Sequence, residues 1–252
     1  MQAKDRQRTI LELLEQQGKL AISELSARFR VSEMTVRRDL DQLEGDGLLR
    51  RTHGGAVRTE SGSFEPAFAL RSRLNTDAKR AIAAAVAREV ADGTTLVLDG
   101  GSTGSMVAEA LVGRRITVCA LNMRVAEILA VSPDTTVMVP GGEIRHGEQS
   151  FVGPTAERTL ADYRFDAFVM TASGVDHAAG FTEWNVQDAA IKRAALASAS
   201  RCVVACDSSK FGQTAFARVA ALAAVDLIVT DSDIAEDQRR ATEAGGALLR
   251  IA

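Results

Sequence analysis

The sequence predicts an α/β protein in two unequal parts. A small N-terminal helical domain ending in a basic hairpin precedes a larger domain built on a mostly parallel sheet. Three observations support this. Residues 1–58 hold three short amphipathic helical patterns followed by a Gly-rich basic segment. Residues 59–74 have no clear period and read as a linker. From residue 75 onward, apolar β-branched runs alternate with helical patterns, as in a parallel sheet covered on both faces.

Composition narrows the function classes. The chain has 252 residues, 46% hydrophobic and 25% charged, which is ordinary globular usage. No apolar run is long enough to span a bilayer, and MQAKDRQRTI lacks the apolar stretch of a signal peptide. A cytoplasmic protein without a membrane partner is expected. Cys119, Cys202 and Cys206 are odd in number, contain no C-x-x-C and lie in apolar runs. They read as small buried hydrophobes rather than a disulfide framework or zinc site. His53, His146 and His177 are scattered, so no metal site is expected, and no motif calls for a cofactor. The net charge of −3 hides a split: residues 1–58 hold 11 Lys+Arg against 9 Asp+Glu, the remainder 19 against 24. Total charge alone therefore does not suggest nucleic acid.

In the first domain, RQRTILELLEQQG places Ile10, Leu13 and Leu14 on one helix face and ends at Gly18, a C-cap. AISELSARFR spaces Ile22, Leu25 and Phe29 helically, with Ser23 as the candidate N-cap. A third helix follows Ser32, its own candidate N-cap. At 100° per residue, Val36, Leu40 and Leu43 face inward. Met34, Thr35, Arg38 and Gln42 face outward, with Arg37 on one flank. That outward face offers a guanidinium fork, a hydroxyl and an amide, groups able to contact base edges in a major groove. Two helices joined by a tight link give helix-turn-helix geometry. In GLLRRTHGGAV, Gly47 breaks the helix, Leu48 and Leu49 pack inward, and Gly54-Gly55 turns the chain back. Such a hairpin is a wing, which would bring Arg50, Arg51 and His53 to backbone phosphates or a minor groove. A plain three-helix cap with a solvated charged face stays open on spacing alone. Asp39, Asp41, Glu44 and Asp46 weaken a purely electrostatic case.

The run VSEMTVRRDLDQLEGDGLLRRTHGGA resembles the signature of the DeoR family, winged helix-turn-helix regulators of bacterial transcription. The match covers Val31-Ser32, Thr35 to Leu40, Leu43, Gly47, Arg51 and His53 to Ala56, with Val36 where Ile is common. The resemblance implies binding to double-stranded operator DNA through Ser32, Thr35, Arg37 and Arg38.

In the second domain, Asn75 or Thr76 can cap an Ala-rich helix to about Val90. Strand runs follow at 94–99, 116–120, 135–139, 166–172, 201–206 and 226–230. LVLDGGSTGSMVAEAL reads as a strand ending at Asp99, a Gly- and hydroxyl-rich loop through Gly104, and a helix from about Ser105. Free amides and a positive helix end favour an anion there, although a simple strand-to-helix turn reads the same way. Neither a Walker A loop nor G-x-G-x-x-G is present. Polar loops also follow later strands, at Asn122, Pro140 to Gly142, Ser173 to Asp176 and Asp207 to Lys210, where parallel sheets bind ligands. Lys210 can supply a point charge for phosphate.

This region is similar to the DeoR family's C-terminal sensor domain, related in fold to ribose-5-phosphate isomerases. The family's Asp-x-Gly-Thr/Ser-Thr loop falls on Asp99, Gly101, Ser102 and Thr103, and its Thr-Asn on Leu121-Asn122, where the hydroxyl is lost. Ser-Gly-Ile-Asp falls on Ser173 to Asp176, including Gly174, and Asp-x-Ser-Lys-Phe-Gly on Asp207 and Ser209 to Gly212. Asp188 stands where Glu is frequent, shortening a reach toward a sugar hydroxyl, and Trp184 either walls the pocket or packs. The resemblance implies a phosphorylated sugar or polyol as effector and a repressor of a catabolic operon. An isomerase needs a positioned base. The isomerases' Asp-Gly-Ala-Asp-Glu run is reduced here to TASGVD, with one acid, so no catalytic residue is expected. Reading a two-fold operator requires paired heads, hence a homodimer or homotetramer. A sugar-phosphate isomerase or deaminase with an added helical domain, and a non-DNA interaction module, are the competing readings.

Overall fold

The computed structural model describes residues 2–45, 48–57 and 65–252. Gly47, the expected helix breaker, and residues 59–64 of the expected linker lie outside them. The chain divides into two compact units, Met1–Leu74 and Asn75–Ala252.

The small unit comprises α1 (Ala3–Gln17), β1 (Lys19–Ala21), α2 (Ile22–Phe29), α3 (Glu33–Gly45), β2 (Arg50–Thr52), β3 (Gly55–Val57) and the single turn α4 (Phe68–Arg71). Gly18 closes α1 in the left-handed conformation, φ 72°, its amide bonded to the Leu14 carbonyl. Ile10, Leu14, Leu25, Val36, Leu40 and Leu49 form one core, and Leu70 of α4 packs against it. Ser23 is not the cap of α2. Ala21 holds that position, and Glu24 accepts from its amide at 3.4 Å. The wing is larger than the sequence suggested, because β1 joins it in a three-stranded antiparallel sheet of order β1-β3-β2. Gly55 begins β3 rather than forming the turn. A Cβ there would stand 1.9 Å from the Leu20 carbonyl oxygen, so only glycine lets β3 pair with β1.

In the large unit, α5 (Thr76–Glu89), β4 (Thr95–Leu98), α6 (Gly101–Leu111), β5 (Thr117–Ala120), α7 (Met123–Leu129) and β6 (Thr136–Met138) come first. The hairpin β7 (Glu143–Ile144) and β8 (Phe151–Val152), then α8 (Pro154–Ala161) and β9 (Ala167–Met170), follow. Next come β10 (Gly174–Asp176), β11 (Gly180–Glu183), α9 (Val186–Ser198), β12 (Cys202–Ala205), β13 (Ala217–Ala220), β14 (Leu227–Thr230), α10 (Glu236–Ala244) and β15 (Leu249–Ile251). Seven strands form one parallel sheet of order β15-β14-β12-β9-β4-β5-β6. Alternate strand residues face opposite ways. Leu96, Leu98, Val118 and Val203 meet Ile82, Val86, Val107 and Val125 on one side. Val97, Cys119, Phe168 and Val204 meet Leu160, Ala189 and Ala195 on the other. Both faces of the inner strands are therefore buried, which is why those strands are apolar throughout, while the edge strands β6 and β15 are partly exposed.

All three cysteines are free and buried, and burial pushes the Cys119 thiol up to about 12. Asn75 precedes α5 with φ 52°, and its side chain turns away from the helix to donate to Asp207 Oδ1 at 2.9 Å instead of capping it. Among the described residues, no helix is long and apolar enough to cross a membrane.

Candidate functional site

Two sets of side chains deserve comparison, one on α3 and one at the strand ends of the large unit. Ser32 starts α3 by accepting the Thr35 amide at 3.2 Å, and the two hydroxyls lie 2.9 Å apart. Val36 and Leu40 are fully buried, which turns Arg38 and Met34 outward; both are exposed. Arg37 is half-buried and ion-paired to Glu33 at 3.5 Å across one helical turn. Gln42 is exposed, as expected of that face, and its Oε1 accepts from Gln7 Nε2 of α1 at 2.9 Å.

Three of the acids that weakened the electrostatic case, Asp39, Asp41 and Glu44, are already engaged, and Asp46 lies outside the described residues. Asp39 is buried against α1, where Arg6 grips both its oxygens, Nη2 donating to Oδ1 at 3.0 Å. The hydrogen bond from Arg6 to Asp39 raises the guanidinium's proton affinity despite burial. Asp41 accepts from Arg51 Nη1, which also donates to the Arg37 carbonyl at 3.2 Å. Glu44 accepts the Arg51 amide at 2.7 Å. Arg51, expected at DNA, is thereby the strap between wing and α3, while Arg50 and His53 remain exposed.

In the large unit the parallel sheet brings Asp99, Asn122, Thr171 and Asp207 to one edge, each just beyond a strand's carboxyl end. The strand order reverses at β4 and β9, the position where open parallel sheets form a crevice. Asp99 is the organiser there. Its Oδ1 accepts the Gly100 amide at 2.7 Å, and its Oδ2 accepts the Thr171 amide at 2.8 Å and hydroxyl at 2.9 Å. Lys192 of α9 reaches the same Oδ2 at 2.8 Å, and also bonds Glu183 and the Thr171 carbonyl. Lys192 and Glu183 were not singled out in the sequence. Lys192 sits where a helical lysine is ordinarily solvated, yet it is 4% exposed. Burial pulls the Lys192 ammonium down, but Asp99 and Glu183 more than reverse this, so it stays charged. Burial pushes the Glu183 carboxyl up, against the opposing pull of Lys192.

Helix α6 begins at Gly101, four residues earlier than the sequence suggested, so Ser102, Thr103 and Gly104 form its first turn and are buried. A Cβ on Gly104 would lie 2.3 Å from the Asp99 carbonyl oxygen, which explains glycine there. Asn122 caps α7 by accepting the Arg124 amide at 2.9 Å and donates to the Glu148 carbonyl at 2.8 Å. Asp188, in the first turn of α9, has both oxygens occupied: Ser150 Oγ donates at 2.6 Å and Arg145 Nη2 lies at 2.6 Å. Arg145 and Ser150 flank the tip of the β7–β8 hairpin, which has no sequence signal beyond the "PGG" before it. Asp176 closes the turn from β10 to β11, Oδ1 accepting the Ala178 and Ala179 amides at 2.9 Å; these bonds, chiefly from Ala179, hold its carboxyl low despite partial burial. Gly174 opens the same hairpin, at β10's first position. Lys210 Nζ stands 5.4 Å from the Trp184 ring centroid. Next to it, burial pushes the Asp207 carboxyl up, and Lys210, Lys79, Ser209 and Asn75 together hold it low.

An exposed helix-turn-helix with a strapped wing, on a chain that also carries a parallel α/β unit with polar strand ends, defines a class: DNA-binding regulators with a sensor module. The family model described as "DeoR-like helix-turn-helix domain" matches residues 6–62, and "DeoR C terminal sensor domain" matches residues 74–232. The chain belongs to the DeoR family of transcription regulators and is a DNA-binding regulator rather than an enzyme. Transcriptional repressor AccR of Agrobacterium fabrum is 36% identical over 230 residues, covering 90% of this chain and 89% of that one. The glycerol-3-phosphate regulon repressor of Escherichia coli is 32% identical over 233 residues, 92% of each chain. Among solved structures, ribose 5-phosphate isomerase A from Neisseria gonorrhoeae overlaps 52% of each chain at 19% identity and a TM-score of 0.40.

Proposed function

We propose that the protein is a repressor that binds a two-fold operator as a homodimer or homotetramer and responds to a phosphorylated sugar or polyol. Two of the relatives are named as repressors, one of them of a glycerol-3-phosphate regulon. The observation that carries the DNA-binding half is the orientation of α3. Its acids Asp39 and Asp41 are held by Arg6 and Arg51, leaving Ser32, Thr35, Arg37 and Arg38 toward solvent. Arg38 reads a base edge, while Arg37, Arg50 and His53 meet phosphates, and Arg51 fixes the wing that presents them. In the large unit, Gly101, Ser102, Thr103 and Gly104 receive the effector's phosphate at the α6 N-terminus, with Lys210 as counter-charge. Asp99 fixes that turn from below, and Asn122, Gly174, Asp176 and Asp188 shape the surrounding loops. The effector switches the protein by binding the DNA-competent and released arrangements unequally.

Arg38→Ala tests the reading on a fragment of the protein's own promoter region. A loss of about 1–3 kcal/mol in operator affinity is expected, with thermal stability unchanged. Unchanged affinity overturns it. For the effector, a thermal-shift screen of sugar phosphates should give a stabilising hit that Lys210→Ala weakens.

A further inference from the structure

We propose that Met34 reads sequence, packing its thioether side chain on the 5-methyl group of a thymine in each operator half-site. This inference deepens the DNA-binding reading by naming one base that α3 recognises.

Met34 is the second residue of α3 and is 67% exposed. The helix's other large apolar side chains, Val36, Leu40 and Leu43, are at most 3% exposed. Met34 is therefore left out of the core by position: it lies on the stripe of Arg38, one helical turn away, and opposite Leu43. Residues at the start of a recognition helix are the ones that reach base edges. Its polar neighbours make local contacts, the Ser32 and Thr35 hydroxyls with each other and Glu33 with Arg37. The apolar surface that Met34 offers has one apolar complement in a major groove, the thymine methyl. A flexible, polarisable side chain suits a methyl whose exact position varies with local duplex geometry. Four residues of helix rise about 6 Å, roughly two base steps. The thymine read by Met34 then lies within about two base pairs of the base read by Arg38.

Replacing each thymine of the half-site by uracil, one at a time, tests this, because uracil pairs identically and lacks only the methyl. Binding of the full chain is measured by titration with each fragment. Wild type should lose about fourfold at one position, the worth of one buried methyl group. Met34→Ala should bind the unsubstituted operator more weakly and show no further loss at that position, and Met34→Leu should restore the sensitivity. Since Met34 is exposed, the thermal unfolding of Met34→Ala should match wild type. If wild type and Met34→Ala show the same loss at every uracil, or if Met34→Ala weakens non-operator DNA equally, Met34 does not read a thymine and the proposal fails. Arg38→Ala, tested in parallel, separates that failure from failure of the DNA-binding reading: it loses affinity in the first case and not in the second.

Discussion

The two units use buried charge in opposite ways. In the small unit, ion pairs tie secondary-structure elements together: Arg6 pairs with the buried Asp39 between α1 and α3, and Arg51 pairs with the largely exposed Asp41 between the wing and α3. Asp39 alone of these acids is buried, while Glu33, Asp41 and Glu44 stay exposed beside Met34, Arg38 and Arg50. In the large unit, charge is gathered at one edge of the sheet, where Lys192 serves two carboxylates at once and Asp188 holds Arg145. There the pairs fix loop backbones beneath helix N-termini. The first arrangement joins helix to helix and wing to helix, and the second holds together the loops at the strand ends. A sequence count of charges, +2 against −5, reports neither, because the sign of a face depends on which charges are already satisfied.

The largest way to break the contrast is Lys192→Met. It leaves Asp99 and Glu183 as buried acids without their cation, and removing one partner from a buried pair costs about 3–5 kcal/mol. Denaturant unfolding should show this loss in the large unit, with the α3 surface and the DNA affinity of any folded fraction unchanged. A shift under 1 kcal/mol, by contrast with the roughly 3 kcal/mol expected, would mean that the cluster is replaceable. Arg6→Ala is next. Asp39 would be stranded in a core built from one small set of aliphatic residues, at a cost of about 3 kcal/mol. Operator binding should vanish, while stabilisation of the large unit by its effector, read by thermal shift, persists. The smallest effect is on pH. Asp207 and Asp166 are held below the usual carboxylate range, Asp166 chiefly by the Thr95 amide and hydroxyl. The stability they contribute is fully present above about pH 4, the unfolded carboxylate value, and is lost as pH falls through their lower folded-state values. Unfolding temperature should therefore fall below that pH, and Asp207→Asn should flatten the decline.

Much of this was legible in the chain. Five of the six strand runs, β4, β5, β9, β12 and β14, were readable because burial on both faces leaves an uninterrupted apolar signal, the partly exposed edge strand β6 through its β-branched residues, and α3 because its period separates Val36 and Leu40 from Arg38. The antiparallel pieces were not. Strands β10, β11 and β13, and the two-residue strands β7 and β8, are too short and mixed to show alternation. Strand β15, at the sheet edge, is mostly exposed. The start of α6 differs from the sequence expectation because Gly101 and Ser102 resemble a loop in composition, whereas Gly104 packs against the Asp99 carbonyl within the first turn of the helix. Lys192, Glu183 and Arg145 escaped notice because their meaning comes from partners far along the chain. Asp99 and Lys192 are joined only once β4 and α9 are folded side by side.

Arg51 has a mechanical consequence. It clips the wing to α3 through Asp41 and the Arg37 carbonyl, while Gly55 presses the hairpin against Leu20. Helix and wing therefore behave as the two jaws of a fixed caliper. Their spacing is set when the chain folds, so meeting a duplex demands little new ordering. With that gauge fixed, the proposed contacts of Arg38 in a groove and of Arg50 and His53 on phosphates would select sites by shape before any base is inspected.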